Sequence, residues 1–443
     1  MNAKNENPNR NTNVLKYSTI YIVVLASLLF VFLENTISAV LFKSTLDVLA
    51  VISTALFCYI MVYFYINRAK YFSMQLLFAF IFSMIIGLPA VYLYFFKDAN
   101  SGFELVCVWG ILINIVLYLT AINGGVVQQK NKINAYFKNI FFLVSFCQVI
   151  KVGVYLKFIL SSGLGHLAIY TEGEELLSNV PFIVRAISGL SLVMSLAIFY
   201  YDSPKKFKVI AFTLLLSELL IGIRSKFFFS LICVIVLSLY VNKEKVKRVF
   251  LIISRPQYLF LGFTIFSLIS YFREGYQINF IDYLVVVLDS LSSTLAGLQN
   301  LYSLPMSQGW GELHSVTIFT QILPLSGFGF LNDNQIYKDF SIIVLGDISS
   351  GIALSSSGIL ESSILSLNFN VVIYLSYLLI VMSMILKGLN SKLTFVNFIA
   401  IAMLPGFFYS VRGELILPFA YIIKSLPIIM VSPFLISKSS SER

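Results

Sequence analysis

Three arginines lie in or beside apolar stretches at widely separated points of the sequence. Arg224 is in LLIGIRSKFFFSLI, Arg273 in YFREG and Arg412 in SVRGE. A guanidinium group is permanently charged and binds phosphate or carboxylate oxygens with two parallel hydrogen bonds. Together these arginines could bind a pyrophosphate group, and separately each could anchor a helix at a membrane surface. Arg185 is a weaker fourth candidate, and for Lys226 we favour the anchoring role.

Two further residues could take a proton. Glu361, in SSSGILESSILSLNFN, precedes an apolar run. Its carboxylate could be a general base toward a hydroxyl group, or it could cap the following helix from its first turn. His314, in GWGELHSVTIF, is the second candidate base, although an isolated loop histidine is usually incidental.

The composition sets the environment in which these residues lie. Of the 443 residues, 58% are hydrophobic and only 12% are charged. Apolar runs of roughly 20 residues recur, which is the length a helix needs to cross a bilayer. Only helices and closed barrels satisfy the backbone in lipid, and the runs lack the short alternating pattern of barrel strands. The sequence therefore predicts an all-α polytopic membrane protein.

We place about twelve membrane-spanning helices on the sequence. The predicted spans are 17–41, 47–66, 72–96, 104–122, 139–160, 182–201, 208–223, 226–241, 256–272, 366–386, 394–411 and 414–432. Most of the 31 lysines and arginines fall in alternate connections, as the positive-inside rule requires of cytoplasmic segments. This pattern puts residues 1–16 and 433–443 in cytoplasmic tails and predicts one transmembrane domain, 1–443.

The same pattern puts the three arginines on the outer face, where basic residues are disfavoured. It also predicts a large outer loop, 273–365, between spans 9 and 10, containing Arg273, His314 and Glu361. The run 280–305 has Asp289 in its middle, so we interpret it as an interfacial or loop helix. Nearby Gly- and Ser-rich segments suit either a mobile lid or ordinary flexible linkers.

Several chemistries have no motif in this sequence. There is no P-loop, GxSxG elbow, CxxC pair or HExxH motif. The four cysteines are scattered through apolar runs, which predicts small buried side chains. We therefore expect no metal and no cofactor. The net charge of +10 follows membrane topology, so we expect no nucleic-acid partner.

The pattern resembles the bacterial oligosaccharide repeat-unit polymerases, the O-antigen polymerase (Wzy) group. As topology, the resemblance covers nearly the whole chain: about a dozen spans, both ends inside and one large outer loop before the last three. At residue level it lies in GIR at 222–224, ILP at 322–324, the Ser-rich stretch before Glu361 with NF at 368–369, and VRG at 411–413. Where the family often has Gly after the Asn-Phe pair, this chain has Asn370.

The resemblance implies a GT-C-like, metal-independent glycosyltransferase in the bacterial cytoplasmic (inner) membrane. It would polymerise undecaprenyl-pyrophosphate-linked repeat units into an O-antigen or capsule at the outer face, with lipid-linked donor and acceptor as substrates. Arg224, Arg273 and Arg412 would bind the donor pyrophosphate, and Glu361 or His314 would activate the acceptor hydroxyl. A chain-length-determining co-polymerase is the expected protein partner.

Three alternatives stay open. An O-antigen ligase shares the architecture, but it has a more prominent histidine motif in the long loop than His314 provides. A lipid-linked oligosaccharide flippase also has about twelve spans, but it should have short loops and charge within a central cavity. A generic permease or a structural membrane protein is the third, in which the outer arginines would have no shared function.

Overall fold

The computed structural model describes separate parts of the chain. These are residues 74–87 and 89, 131–161, 179–220, 224–241, 257, 318–327, 341–342, 357–365 and 370–437. The predicted spans 17–41, 47–66 and 104–122, the tail 1–16 and nearly all of span 256–272 lie outside these residues. So does most of the predicted outer loop.

The described segments are almost entirely helical. The first half contains α1 (Met74–Phe82, continued by a π-helical turn, Ser83–Gly87), α2 (Ala135–Ser161), α3 (Phe182–Ser188), α4 (Ser191–Tyr200), α5 (Lys205–Leu220) and α6 (Arg224–Val241). The second half contains a 3₁₀ turn (Ile318–Gln321), α7 (Ile322–Ser326), α8 (Gly358–Leu365), α9 (Asn370–Leu389), α10 (Thr394–Tyr409), α11 (Leu417–Lys424) and α12 (Leu426–Leu435). Two short strands, β1 (Lys132–Ile133) and β2 (Ile436–Ser437), pair antiparallel.

Three of these helical segments are long and apolar enough to cross a membrane. They are Ala135–Ser161, Phe182–Tyr200 and Val372–Leu389. The pair α11 and α12 would make a fourth span, bent by 61° at the break between the two helices. A helical fold is therefore confirmed for the described residues, with three or four segments that are long and apolar enough to span a membrane. Twelve spans and a GT-C-like arrangement stay predictions.

Apolar side chains cover both sides of the long helix α2. Phe137 and Phe141 have no exposed surface, whereas Phe146 is 64% exposed and Leu160 is 83% exposed. A water-soluble helix places its apolar residues in one stripe, but a helix that meets protein on one face and lipid on the other is apolar all round. The outward-facing residues of α2 are therefore suited to lipid contact.

At one end of the helix bundle, four segments are joined by hydrogen bonds. β1 pairs with β2, and Lys132 forms a bridge and a 3.7 Å ion pair with Asp202. The Asn397 side-chain amide donates to the carbonyls of Gly388 and Ser391, and its oxygen accepts from the Tyr201 hydroxyl. We call this region the clasp; it comprises residues 131–134, 200–203, 388–397 and 434–437. The charge pattern of the sequence predicts that all four segments lie on the cytoplasmic side.

The helix α10 leads from the clasp to the other end of the bundle. Its 16 residues cover roughly 24 Å. Near its far end it crosses α11 closely, because a Cβ on Gly406 would lie 2.7 Å from the Pro418 Cα atom. The turn that follows α10 carries Arg412 and meets segments of the predicted outer loop.

Candidate functional site

Glu361 lies at the end of the bundle opposite the clasp and is completely buried. It is in α8, a helix whose first turn is capped by Ser357, because the Leu360 amide donates to Ser357 Oγ over 3.1 Å. The Gly358 amide donates to the Ser410 carbonyl at the end of α10. These two contacts fix the position of α8 and turn the Glu361 carboxylate toward the chain that follows α10.

Two hydrogen bonds hold the Glu361 carboxylate. The Leu415 amide donates to Oε2 over 2.8 Å, and the Gln321 side chain donates to Oε1 over 3.3 Å. Leu415 comes just before α11, so the acid satisfies an amide near the start of that helix and not one of its own helix. We call this arrangement the Glu361 junction; it joins residues 318–326, 357–365 and 410–416.

The junction alters the interpretation of the predicted outer loop. Its segments 318–326 and 357–365 are short helices, with Gln321, Ser362 and Ser363 fully buried. They pack against the last helices of the bundle, so in these two segments the loop is not a loosely attached linker. Since Glu361 has no exposed surface, a substrate hydroxyl could reach it only if one of the packed segments moved.

The structure places only part of the predicted arginine set. Arg412 is half-buried in the turn that precedes Leu415, three residues from the amide bound by Glu361. The backbone of Arg224 begins α6, but its side chain lies outside the described residues, and so do Arg273 and His314. Convergence of the three arginines therefore stays a prediction.

A second group of charged side chains lies within the helix bundle. Lys226 Nζ is 2.7 Å from Glu218 Oε1, and the Gln148 amide donates to the same oxygen over 3.1 Å. Lys151, one helical turn beyond Gln148 on α2, interacts electrostatically with Lys226, Glu218 and Lys424. Lys424, at the end of α11, interacts electrostatically with Lys226 and Glu218.

Arg185 lies close to this group. Tyr155 interacts electrostatically with both Arg185 and Glu218, and Lys151 Nζ is 5.4 Å from the centre of the Tyr155 ring. The Cε atom of Lys424 lies 2.8 Å from the point where a Cβ on Gly189 would be, just after α3. We call Lys151, Arg185, Lys226 and Lys424 with Glu218 the cationic cluster.

Two polar atoms of the cluster lack a hydrogen-bond partner within the described part of the chain. They are the Nε atom of Arg185 and the Oε2 atom of Glu218, both buried. A buried polar atom without a partner is costly and uncommon in a folded protein. One of these atoms is a donor and the other an acceptor, so a ligand with both kinds of group would satisfy them.

The comparisons with known proteins give no relative. No family model, no curated protein and no solved structure matches this chain. The sites above therefore depend on their own geometry.

The sequence interpretation missed most of the cationic cluster. Arg185 was a weaker candidate, and Lys226 was interpreted as an anchor, whereas the structure gives it an ion pair with Glu218. Lys151, Glu218 and Lys424 were counted as parts of the spans 139–160, 208–223 and 414–432. A charged residue inside an apolar span is itself a sign of function, and this signal could have identified them.

Chemically, the two sites suit different tasks. The Glu361 junction offers a carboxylate that could accept a proton if the segments around it separate. The cationic cluster offers three lysines and one arginine against one carboxylate, a charge balance suited to an anion. The cluster is partly accessible, because the Lys226 side chain is 28% exposed.

Proposed function

We propose that the chain is a membrane-embedded glycosyltransferase that polymerises undecaprenyl-pyrophosphate-linked oligosaccharide repeat units. The reaction takes place at the outer face of the bacterial inner membrane and yields an O-antigen or a capsule. The growing glycan leaves its carrier lipid and joins the next lipid-linked unit. Both termini are cytoplasmic in this proposal, and the fold is GT-C-like with about twelve spans.

The observation that supports this proposal is the Glu361 junction. Two segments of the predicted outer loop and the turn carrying Arg412 meet around one buried acid. In the proposed reaction, an acceptor hydroxyl gives its proton to Glu361 while its oxygen attacks the anomeric carbon of the donor sugar. The bond from that carbon to the pyrophosphate oxygen breaks, and Arg412, Arg224 and Arg273 neutralise the leaving pyrophosphate. His314 is the alternative base.

A step of this kind needs the junction to open. Gln321 belongs to the segment 318–326, and its hydrogen bond to Glu361 is longer than that of the Leu415 amide, at 3.3 Å against 2.8 Å. Movement of that segment would expose Glu361 while the Leu415 amide still orients the carboxylate. Closure over bound substrates would then exclude water, which would otherwise compete with the acceptor hydroxyl.

The test is the glycan profile of cells that lack the gene, with the intact gene returned as a control. A polymerase predicts single repeat units on the surface and no ladder of longer chains. A full ladder retained on the carrier lipid would instead identify a ligase. An unchanged profile would remove every glycan function from consideration.

A second function is favoured by one observation. The cationic cluster puts charge inside the helix bundle, as expected of a flippase that carries the pyrophosphate head group of a lipid-linked oligosaccharide across the membrane. In the same experiment, a flippase predicts repeat units trapped on the cytoplasmic side. The two functions are thus separated by where the single units accumulate.

A further inference from the structure

The cationic cluster has an excess of positive charge that no described residue balances. Lys151, Lys226 and Lys424 interact with one another and with a single acid, Glu218, which leaves an excess of two positive charges before Arg185 is counted. Like charges within a membrane bundle repel strongly, because little water screens them. Lysines at such positions are therefore expected to have a negatively charged partner for part of the working cycle.

The three lysines of the cluster come from three different helices. Lys151 is on α2, Lys226 on α6 and Lys424 on α11, and Glu218 on α5 lies among them. The side chain of Lys226 keeps 28% of its surface exposed, while that of Glu218 keeps 6%. A ligand could therefore reach the cluster at Lys226, whereas Glu218 is buried.

Two local features favour an anion with oxygen atoms. Arg185 Nε is a buried donor without a partner among the described residues, so an incoming oxygen atom would satisfy it. The bend between α11 and α12 follows Lys424 directly, so the first turn of the ten-residue helix α12 begins beside the cluster. Backbone amides at a helix start attract anions.

We infer that the cationic cluster is a binding site for a phosphate or pyrophosphate group, held by Lys151, Lys424, Lys226 and Arg185. A phosphate dianion would balance the excess of two charges among the three lysines and Glu218, and Arg185 would neutralise the further negative charge of a pyrophosphate. Phosphate oxygens can accept from several ammonium groups at once. Glu218 holds Lys226 in place and limits the total charge. A protonated phosphate oxygen, or a hydroxyl on the group attached to it, would donate to Glu218 Oε2.

This group could belong to a lipid carrier or to a free anion in solution. The site itself does not depend on polymerase or flippase activity; only its assignment to a polyprenyl carrier depends on the proposed function. It also differs from the predicted arginine set, since it lies between the helices and consists mainly of lysines.

The test uses the purified full-length protein. One arm measures binding of radiolabelled inorganic pyrophosphate in detergent, and the other measures the thermal shift in nanodiscs with and without a polyprenyl phosphate. We expect Lys151→Gln and Lys424→Gln to weaken binding about tenfold or more, the loss expected for one charged hydrogen bond. Glu218→Gln should bind more tightly, because it removes the negative charge that Glu218 brings to the cluster.

The matched control is Lys387→Gln, which removes an exposed lysine near the clasp and should leave binding unchanged. Lys151→Arg and Lys424→Arg keep the charge and should retain most of the affinity, which guards against misfolding as the cause of a loss. Binding in the nanodisc arm alone assigns the site to a lipid-borne phosphate, and binding in both arms to phosphate groups in general.

Absence of binding in both arms, or equal binding by the wild type and the two lysine-to-glutamine variants, would overturn the inference. The glycan ladder in cells tests the polymerase function and not the phosphate site. Its loss would therefore not support the phosphate site, and a normal ladder would not contradict it. The phosphate site and the proposed function therefore fail in different experiments.

Discussion

Lys226 Nζ lies 2.7 Å from Glu218 Oε1, and this contact ties the first turn of α6 to the last turn of α5. The Gln148 amide donates to the same oxygen, and Ser191 Oγ lies 3.4 Å from Gln148 Oε1. Three helices therefore meet at the Glu218 carboxylate, and a fourth, α4, joins them through Gln148. This network stabilises the packing of these helices, because its four members come from α2, α4, α5 and α6.

Replacing only one member of this ion pair should be worse than replacing both. Glu218→Leu raises the excess of positive charge among the three lysines and Glu218 from two to three, and we expect it to lower the free energy of unfolding by about 2–3 kcal/mol. The double variant Glu218→Leu/Lys226→Leu restores the excess to two and should lie closer to the wild type. Thermal unfolding in detergent measures both; equal losses in the two variants would contradict this account of the pair.

Glu361 is expected to have a structural role that can be separated from a catalytic one. Glu361→Ala leaves the buried Leu415 amide without its acceptor and should destabilise the protein by about 2 kcal/mol. Glu361→Gln keeps an acceptor oxygen and should recover most of that stability. If Glu361 is the base, the Gln variant is stable but makes no glycan ladder; a stable Gln variant with a normal ladder would assign the acid to structure alone.

The close crossing of α10 and α11 depends on a glycine, Gly406, which has no side chain at the contact. A Cβ on Gly406 would meet the Pro418 backbone, so Gly406→Ala should force the helices apart and cost about 1–3 kcal/mol. Gly153 in α2 is the matched control, since a Cβ there meets nothing within 4 Å. Gly153→Ala should be neutral or stabilising by up to about 1 kcal/mol. Thermal unfolding of the two variants in detergent should therefore give shifts of different sign or size, and similar losses would contradict the close contact of α10 and α11 at Gly406.

The positions of individual helices could be predicted from the sequence, but their neighbours could not. The apolar run that follows the basic residues Lys130, Lys132 and Lys138 predicted 139–160, and α2 is Ala135–Ser161; the run 394–411 contains α10, Thr394–Tyr409. These limits follow from bilayer thickness and charge, which act on each segment separately. The packing of one helix on another depends on side-chain shape, which a hydropathy pattern does not encode.

For the two sites as well, single residues could be selected from the sequence, but their partners could not. Glu361 could be selected from its position before an apolar run, but its bond to the Leu415 amide joins residues 54 apart in the sequence. Every residue except proline has a backbone amide, so the residue types do not show which amide binds Glu361. Lys151 and Lys424 were each visible as a charge in an apolar run, yet only the fold brings them to Glu218.

The proposed role of the three arginines can be tested although Arg412 is the only one whose side chain lies within the described residues. Arg224→Ala and Arg273→Ala should each shorten or abolish the glycan ladder, because each removes a charge from the leaving pyrophosphate. Arg412→Lys keeps the charge but loses the paired hydrogen bonds and should give a partial defect. Normal polymer length and amount in both Ala variants, at wild-type expression, would show that these arginines do not bind the pyrophosphate.

The predicted orientation requires the two ends of the bundle to face opposite sides of the membrane. α2 begins beside the clasp and its 27 residues extend roughly 40 Å, so Ser161 ends far from Lys392, and both residues are exposed. With the four native cysteines replaced by Ala, a membrane-impermeant maleimide added to intact spheroplasts should label Ser161→Cys but not Lys392→Cys. Lysed cells, in which both should react, are the control. Labelling of Lys392→Cys alone would reverse the orientation and move Arg412 and Glu361 to the cytoplasmic side, where lipid-linked units are not polymerised in the proposed reaction.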